Sequence, residues 1–579
     1  MSSALTPERR LQDVACLTSG VLDVLVVGGG VTGAGTALDA ATRGLRVGLV
    51  EAQDWGAGTS SKSSKLVHGG LRYLQMLDFR LVREALRERG LLLQRLAPHL
   101  VRPVPILYPL QVPFVERAYV GAGVALYDLL GLSTGGGRGL PHHRHLSKRQ
   151  ALRAAPGLRA DVLAGAVLYY DGQLDDARFV VELVRTAAAY GAVPLSRATV
   201  IGFLSDGDRV QGARVRDAET GAEHDVRARV TVSATGAWTE ETEALAGRGR
   251  AVQIRPSKGV HILVARHRLD FTTGLILRTE RSVLFVLPWG EHWLIGTTDT
   301  DWPYTKGRPL ATRADVDYLV GEVNTVLARP LSRDDVEAVF AGLRPLVAGS
   351  GVVRGPGETK PEAGTTRLSR EHAIGRPAPG LVVVSGGKLT TYRVMAADAV
   401  DAAVDEGQLH ALACRTARVP LLGARPGRLG PPGTAGVGGP DLPPDQMERL
   451  RGRYGSLVGE VLAAAAADPS LARPLTGQAT YLGAEAAYAV THEGARHLED
   501  VLSRRTRLAI ETSDGALATA PAVTRVIAPL LGWGPDEVAA ELDDWRQQVE
   551  LREEAAFTVA EDSDAAARAD GTPTLLPLP

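Results

Sequence analysis

The six residues Gly28-Gly29-Gly30-Val31-Thr32-Gly33 constrain this chain more than any other segment. They spell G-x-G-x-x-G between an apolar run, Asp23-Val24-Leu25-Val26-Val27, and a stretch in which Ala34, Ala37, Leu38 and Ala41 recur at helical spacing. The run predicts a parallel strand buried on both faces, and Gly44 is placed to end the helix before a second run, Val47-Gly48-Leu49-Val50-Glu51. This is a β-α-β unit. Gly28 permits its tight turn, Gly30 lets the backbone approach a pyrophosphate, and Gly33 allows close helix packing, while the helix N-terminus favours phosphate charge. Glu51 stands 23 positions after Gly28 at the end of the second strand, where a carboxylate can accept from ribose hydroxyls. A structural glycine turn needs none of these companions, so the segment predicts a bound adenine dinucleotide.

That unit occupies a small part of 579 residues, a length that allows roughly three or four domains and a sizeable core. Hydrophobic residues at 45% and charged residues at 23% are those of a folded globular protein. Lys and Arg number 65 against 66 Asp and Glu, a net charge of −1 that advertises no nucleic-acid partner. Two cysteines, Cys16 and Cys414, are too few for a disulfide scaffold and suit a reducing compartment. The first twenty residues carry charges where a secretory signal needs an apolar core. The weakly charged run 118–132 contains Asp128 and is shorter than the roughly 20 residues of a spanning helix. The expected location is the cytoplasm, with peripheral attachment to the inner face of the membrane left open. No metal site is expected.

Further along, residues 71–96 have helical spacing with an Arg-rich face, and the proline-punctuated stretch 98–113 reads as extended or looped. Residues 209–238 look like paired strands, and Gly290-Glu291-His292 separates two apolar runs as a hairpin turn does. Seven glycines and six prolines in residues 421–446 read as a linker, and 447–550 has helical composition.

The fingerprint serves NAD and FAD alike. Its position at the N-terminus of a long chain, with another strand ending in Ala234-Thr235-Gly236 some 200 residues later, is the pattern of a nucleotide domain assembled from separated segments, which favours FAD. The hydroxyl- and lysine-rich segment 58–74 follows the β-α-β unit, where it suits either a phosphate or flavin contact or a surface loop. A second glycine turn, Ser385-Gly386-Gly387-Lys388, stands between the apolar run Leu381-Val382-Val383-Val384 and a helical pattern starting near Val394.

Eight segments in order, SSKLVHGGLRYL from Ser63, YYDGQLDDAR from Tyr169, ATGAW from Ala234, SKGVH from Ser257, IGTTDTDW from Ile295, GLRPL from Gly342, SREH from Ser369 and GGKLTTYR from Gly386, carry a family resemblance. The chain resembles the FAD-dependent, NAD-independent glycerol-3-phosphate dehydrogenases of the aerobic bacterial and mitochondrial type, from Asp23 to the helical C-terminal region. The resemblance implies an α/β fold: a glutathione-reductase-type, Rossmann-like FAD-binding domain, a mixed β-sheet substrate domain and a C-terminal helical domain. On that pattern the FAD-binding domain takes residues 21–95, 165–250 and 345–410, and the substrate domain takes 96–164 and 251–344. Residues 421–446 form the linker, 447–550 the helical domain and 557–579 a flexible tail. It further implies oxidation of sn-glycerol 3-phosphate to dihydroxyacetone phosphate, with a quinone as electron acceptor and a homo-oligomeric assembly. An oxidase passing electrons to oxygen shares these residues. A non-catalytic flavin scaffold and an NAD-dependent dehydrogenase are the rival readings.

Matched motif to motif, Arg344, Arg370, Lys388, Arg72 and Tyr73 become substrate-binding candidates, since the planar arginine fork meets phosphate oxygens with two bonds. His68, Lys388 and Arg344 are the catalytic candidates, His68 because imidazole titrates near working pH. Cofactor contacts fall to Gly28, Gly30, Gly33, Glu51, Thr59, Ser60, Ser61, Ser64, Lys65, His68, Thr235, Gly236, Trp238, Gly387, Lys388, Leu389 and Thr390. His68 is equally read as a structural histidine bonding a loop carbonyl. Lys258 and His261 read as structural strand residues, and Thr297, Thr298 and Asp299 as a turn or a site edge. The basic run Arg504-Arg505-Thr506-Arg507 and the arginines between Arg80 and Arg95 read as solvated faces, with anionic lipid as the alternative.

Overall fold

The computed structural model describes residues 3–70, 78–135, 140–247, 251–279, 283–348, 371–424, 442–475 and 480–571. Strand Val21–Val27 lies at the centre of an eight-stranded sheet, parallel to Val47–Val50 on one side and to Glu223–Ser233 on the other. With a strand on each edge and helices over the faces, Val24, Leu25 and Val26 have no exposed surface, which is why the run is apolar without alternation. Leu381–Gly386 extends the sheet beyond Glu223–Ser233, and Val193–Leu195 extends it beyond Val47–Val50. Helix Val31–Thr42 packs between the sheet, helix Asp176–Ala189 and helix Tyr392–Gly407. Its close approach depends on Gly33, where a Cβ would collide with the Gly28 carbonyl oxygen.

A second, ten-stranded sheet holds Ile254–Ala265, Val336–Val347, the expected hairpin Val283–Trp289 and His292–Gly296, and Gly274–Arg278. Arg102–Leu110 pairs parallel with Gly274–Arg278 and antiparallel with Gly165–Gln173, so the sheet is mixed. Pro103, Pro105 and Pro109 occupy alternate positions, which places their missing N–H groups on one side of the strand. The expected domain boundary at 165 is corrected here. Strand Gly165–Gln173 belongs to the second sheet, pairing with Arg102–Leu110, Leu66–Val67 and Arg144–Ser147. Strand pairing across long gaps in sequence left no local sign of this.

The third part is helical, from Pro444–Tyr454 to Pro535–Thr558, around Leu498, Val523, Ile527 and Trp545. Buried ion pairs fasten it to the nucleotide domain. Asp54 receives Arg505 at 2.6 Å and Arg504 at 2.5 Å, Asp500 receives Arg197 at 2.5 Å, and Arg507 meets Asp175 at 2.8 Å. The run 504–507 is therefore neither a solvated face nor a lipid contact; its arginines are spent inside the protein. Arg80, Arg83, Arg87 and Arg95 are exposed, whereas Arg89 is buried on Asp171 at 2.5 Å.

The expected flexible tail is also corrected. Helix Pro535–Thr558 runs past 550, and Asp562–Gly571 forms another helix. Ala565, Ala566 and Ala569 bury against Leu310, Trp302 and Leu343, while Asp562 pairs with Lys258. An alanine face is too small to stand out as an apolar stripe in sequence. The linker begins inside the nucleotide core, where Leu421 is buried and donates its N–H to Leu96 at 2.9 Å; residues 425–441 lie outside the described residues.

Candidate active site

One cavity of about 400 Å³ runs from the Gly28–Thr32 turn to the sheet residues His261 and Arg344. At the nucleotide end Gly28 has φ +106°, and a Cβ there would stand 2.6 Å from the Ala234 carbonyl oxygen. Gly30 is the extended residue before the helix, so the first backbone N–H groups of Val31–Thr42 face the cavity mouth. The Glu51 carboxylate accepts from the Gly29 N–H at 2.5 Å and from the Gln53 N–H at 2.8 Å. Burial pushes its pKa up. Ser60 Oγ accepts from the Val31 N–H at 2.9 Å, tying the hydroxyl-rich loop to the same helix terminus.

Ser60, Ser64, Thr235, Gly236, Trp238, Gly387, Lys388, Leu389 and Thr390 line this cavity, as do Gly28, Gly30, Glu51, Thr59 and His68. Such a space, bounded by a helix terminus, a ribose-type carboxylate and a second glycine turn, fits an extended dinucleotide carrying a flavin. Gly386 and Gly387, with φ of +82° and +71°, turn the chain so that Lys388 caps a short helical turn leading into Tyr392–Gly407. The His68 N–H donates to Thr390 Oγ1 at 3.2 Å, and its ring stands edge-on to Phe285 at 6.2 Å.

Two expected cofactor residues are turned elsewhere. Lys65, with φ +58°, is fully buried outside the cavity lining, its Nζ 2.8 Å from Asp176 and above the rings of Trp289 and Phe340. Ser61 is buried beside it, and its carbonyl accepts from Lys65 and Arg507. Asp176, a buried carboxylate, pairs with the Lys65 ammonium and also accepts from the Ser63 N–H and hydroxyl, so it turns the Lys65 side chain away from the cavity although Ser63 itself lines it. Gly33 also lies outside the lining, in the packing role its position predicts. Thr59 lines the cavity, but its hydroxyl donates to the Leu343 carbonyl. Arg72, Tyr73 and Arg370 lie outside the described residues.

The other end of the cavity is built on two facing strands. Arg344 sits opposite Ser257 in the pairing of Val336–Val347 with Ile254–Ala265. Its guanidinium donates to Thr297 Oγ1 at 2.8 Å, the Thr298 carbonyl at 3.0 Å and Asp299 at 3.3 Å. Gly259 leaves room for it, because a Cβ there would strike Nη2. Two residues on, His261 lines the same cavity, with Nε2 2.8 Å from Ser64 Oγ and its ring stacked on Phe340 at 4.9 Å. Burial, then the nearby Arg344 and Lys65, hold this imidazole well below its ordinary pKa, so it is neutral. Lys258 keeps the structural role expected of it, buried between Asp315 and Asp562. Lys258 and His261 in SKGVH both read as structural from sequence, and the structure corrects this for the histidine, which faces the site. Strand alternation from Gly259 to His261 was the available signal.

The residues thus place a neutral imidazole, a serine hydroxyl and an oriented arginine at one end of the cavity, whose lining also includes Lys388. Residues 23–393 match the family of FAD-dependent oxidoreductases, and residues 414–538 match the C-terminal domain of alpha-glycerophosphate oxidase. Glycerol-3-phosphate dehydrogenase 2 of Mycobacterium tuberculosis strain H37Rv is 50% identical, over 95% of this chain and 92% of that protein. The human mitochondrial glycerol-3-phosphate dehydrogenase is 36% identical, over 94% of this chain and 74% of that protein. Among solved structures, glycerol-3-phosphate dehydrogenase from Bacillus halodurans complexed with FAD superimposes with a TM-score of 0.76 at 28% identity, covering 96% of this chain and 99% of the other.

Proposed function

The chain belongs to the FAD-dependent glycerol-3-phosphate dehydrogenases, and on that premise we propose that it oxidises sn-glycerol 3-phosphate to dihydroxyacetone phosphate and passes the electrons to a quinone. The observation that carries this reading is the single cavity joining the dinucleotide turn at Gly28 to Arg344 and His261. FAD, when bound, supplies the acceptor for the hydride from C2 of the alcohol.

The chain's own residues perform the rest. Arg344 is held in place by Thr297, Thr298 and Asp299, so it meets the substrate without losing much side-chain freedom, and Lys388 adds a second cation. Nε2 of His261 receives the proton of the C2 hydroxyl through the Ser64 hydroxyl that already occupies it. The free imidazole has a low affinity for that proton because it is buried and because Arg344 and Lys65 stand nearby. A dianionic phosphate beside Arg344 offsets those charges and raises its basicity in the complex. His68, tied to Thr390 next to the glycine turn, is assigned to the cofactor's surroundings. The aromatic and aliphatic lining, including Phe285, Ile276 and Tyr169, limits water at the reacting carbon.

An anaerobic visible spectrum tests this assignment. Glycerol 3-phosphate should bleach the flavin band while glycerol and lactate leave it unchanged; a band bleached by none of them refutes the substrate. A second reading, with oxygen as acceptor, draws on the match of residues 414–538 to the oxidase C-terminal domain. Hydrogen peroxide formed in proportion to substrate consumed would establish it over the quinone.

Quinones reside in lipid, and the reading includes a peripheral contact with the membrane. Among the described residues no helix is long and apolar enough to cross a bilayer. Helix Phe114–Ser133 presents Phe114, Val115, Tyr119 and Leu129 to solvent, Phe114 at 86% exposure, which suits an in-plane contact. Co-sedimentation with anionic vesicles, lost in Phe114→Glu with Val115→Glu, tests it.

A further inference from the structure

Beside the main cavity a smaller cleft of about 50 Å³ opens where all three parts of the molecule meet. The nucleotide domain contributes Gln53, Lys62 and Arg197, the loop of the second sheet contributes Lys306 and Arg308, and the helical domain contributes Glu499 and Arg504. Five cations and one carboxylate line it. Three of the cations are already matched: Arg504 bonds Asp54, Glu499 and Asp500 at 2.5, 2.8 and 2.7 Å, Arg197 bonds Asp500, and Lys306 bonds Glu241 at 2.6 Å. Lys62 and Arg308 have no hydrogen-bond acceptor or ion-pair partner for their charged groups among the described residues. Behind them Arg552 spends its Nε on the Gln548 carbonyl and stacks on Trp545, leaving Nη2 buried without a partner.

The geometry points to an anion site: we propose that this cleft binds a soluble ligand through a phosphate group of two negative charges, held between Lys62 and Arg308. A space several times that of one buried water accepts such a group, and a guanidinium facing an ammonium gives it a planar fork and a point charge. Lys62 supports this independently. Burial draws its pKa down to about 8, opposed by Glu499 and aided by the nearby Arg504, Arg308 and Arg552. The loop residues Gly58, Thr59 and Lys62 line both this cleft and the main cavity, so an anion here is adjacent to the segment that bounds the cofactor site. The inference does not depend on which alcohol the enzyme oxidises.

The test is calorimetric titration of the FAD-loaded enzyme with inorganic phosphate at constant ionic strength. Wild type is expected to show saturable binding that Arg308→Gln and Arg308→Glu weaken about 10-fold or more, with turnover of the reducing substrate unchanged. Arg344→Gln, whose side chain lines the main cavity and not this cleft, should retain that binding. Two variants at 308 guard against misfolding, which loss of the flavin band would reveal in either. Wild-type affinity in a folded Arg308 variant, loss of the binding in Arg344→Gln instead, or no saturable binding by wild type would each overturn the assignment. Failure of the glycerol 3-phosphate reading would appear in the flavin spectrum and leave this titration unaffected.

Discussion

Ser64 Oγ lies 2.8 Å from Nε2 of His261, and this contact joins the loop that follows the nucleotide fingerprint to strand Ile254–Ala265 of the second sheet. The two residues are 197 positions apart in sequence. Because the pair lies inside the cavity, removing it should affect the proton without removing the cofactor. His261→Ala is expected to keep its flavin and to lose about 100-fold in the rate of flavin reduction by glycerol 3-phosphate, and Ser64→Ala about 10-fold. Anaerobic stopped-flow spectroscopy reads both. If His261→Ala reduces at the wild-type rate while His68→Ala does not, the proton belongs to His68.

Arg344 is oriented by Thr297, Thr298 and Asp299 before any ligand arrives. Its replacement by Ala removes charged hydrogen bonds worth about 1.5 to 3 kcal/mol each. The expected result is a rise of 10-fold or more in KM for glycerol 3-phosphate. Arg344→Lys should recover only part of it, since an ammonium cannot reproduce the fork. A Lys variant equal to wild type would exclude a two-pronged contact.

Gly28 and Gly33 answer to the cofactor and to the helix it faces. A methyl group at Gly33 would meet the Gly28 carbonyl oxygen, which is backbone and cannot step aside. Gly33→Ala should be isolated with little bound flavin, visible as a low ratio of absorbance near 450 nm to that near 280 nm. A full complement of flavin would show that this helix can shift without cost.

His497 bridges Glu219 at 3.1 Å and Glu541 at 2.6 Å. Burial disfavours its charge, but the hydrogen bonds to the two carboxylates more than reverse this and raise its pKa from 6.5 to about 9. A raised folded-state pKa contributes stability that is complete below about 6.5 and is lost as pH rises through about 9. The contribution is on the order of 3 kcal/mol. Urea unfolding of wild type and His497→Gln should therefore differ most near pH 6 and converge near pH 10. A difference independent of pH would assign the residue a packing role only.

Asp54 accepts from two buried arginines, Arg504 and Arg505. Asp54→Asn leaves Arg505 without a carboxylate, while Arg504 keeps Glu499 and Asp500, and is expected to destabilise the protein by about 3 to 5 kcal/mol, because an unpaired buried ion costs more than the pair contributes. The midpoint of chemical denaturation measures it. Helical-domain signals lost before those of the nucleotide domain would show that Asp54 fastens the one to the other.

The glycine fingerprint, its strand and helix, Glu51, the hairpin at Gly290 and the helical character of the third part were legible in the sequence. Each depends on neighbours within a few turns or a few strand residues, so local spacing carries the information. His261 needed the second sheet to reveal it, since its face of the strand acquires meaning only once Ser64 is brought across the cavity. The partners of Lys65 and of residues 504–507 needed the assembled core as well. Asp176 is 111 positions from Lys65, and Asp54 is 451 positions from Arg505. A lysine or arginine looks the same in sequence whether it faces a phosphate, a lipid or a buried carboxylate. Local spacing along the chain fixes where backbone geometry demands glycine and where periodicity demands burial. Which charge meets which is settled in the folded molecule alone, because electrostatic pairing acts between groups that folding makes neighbours.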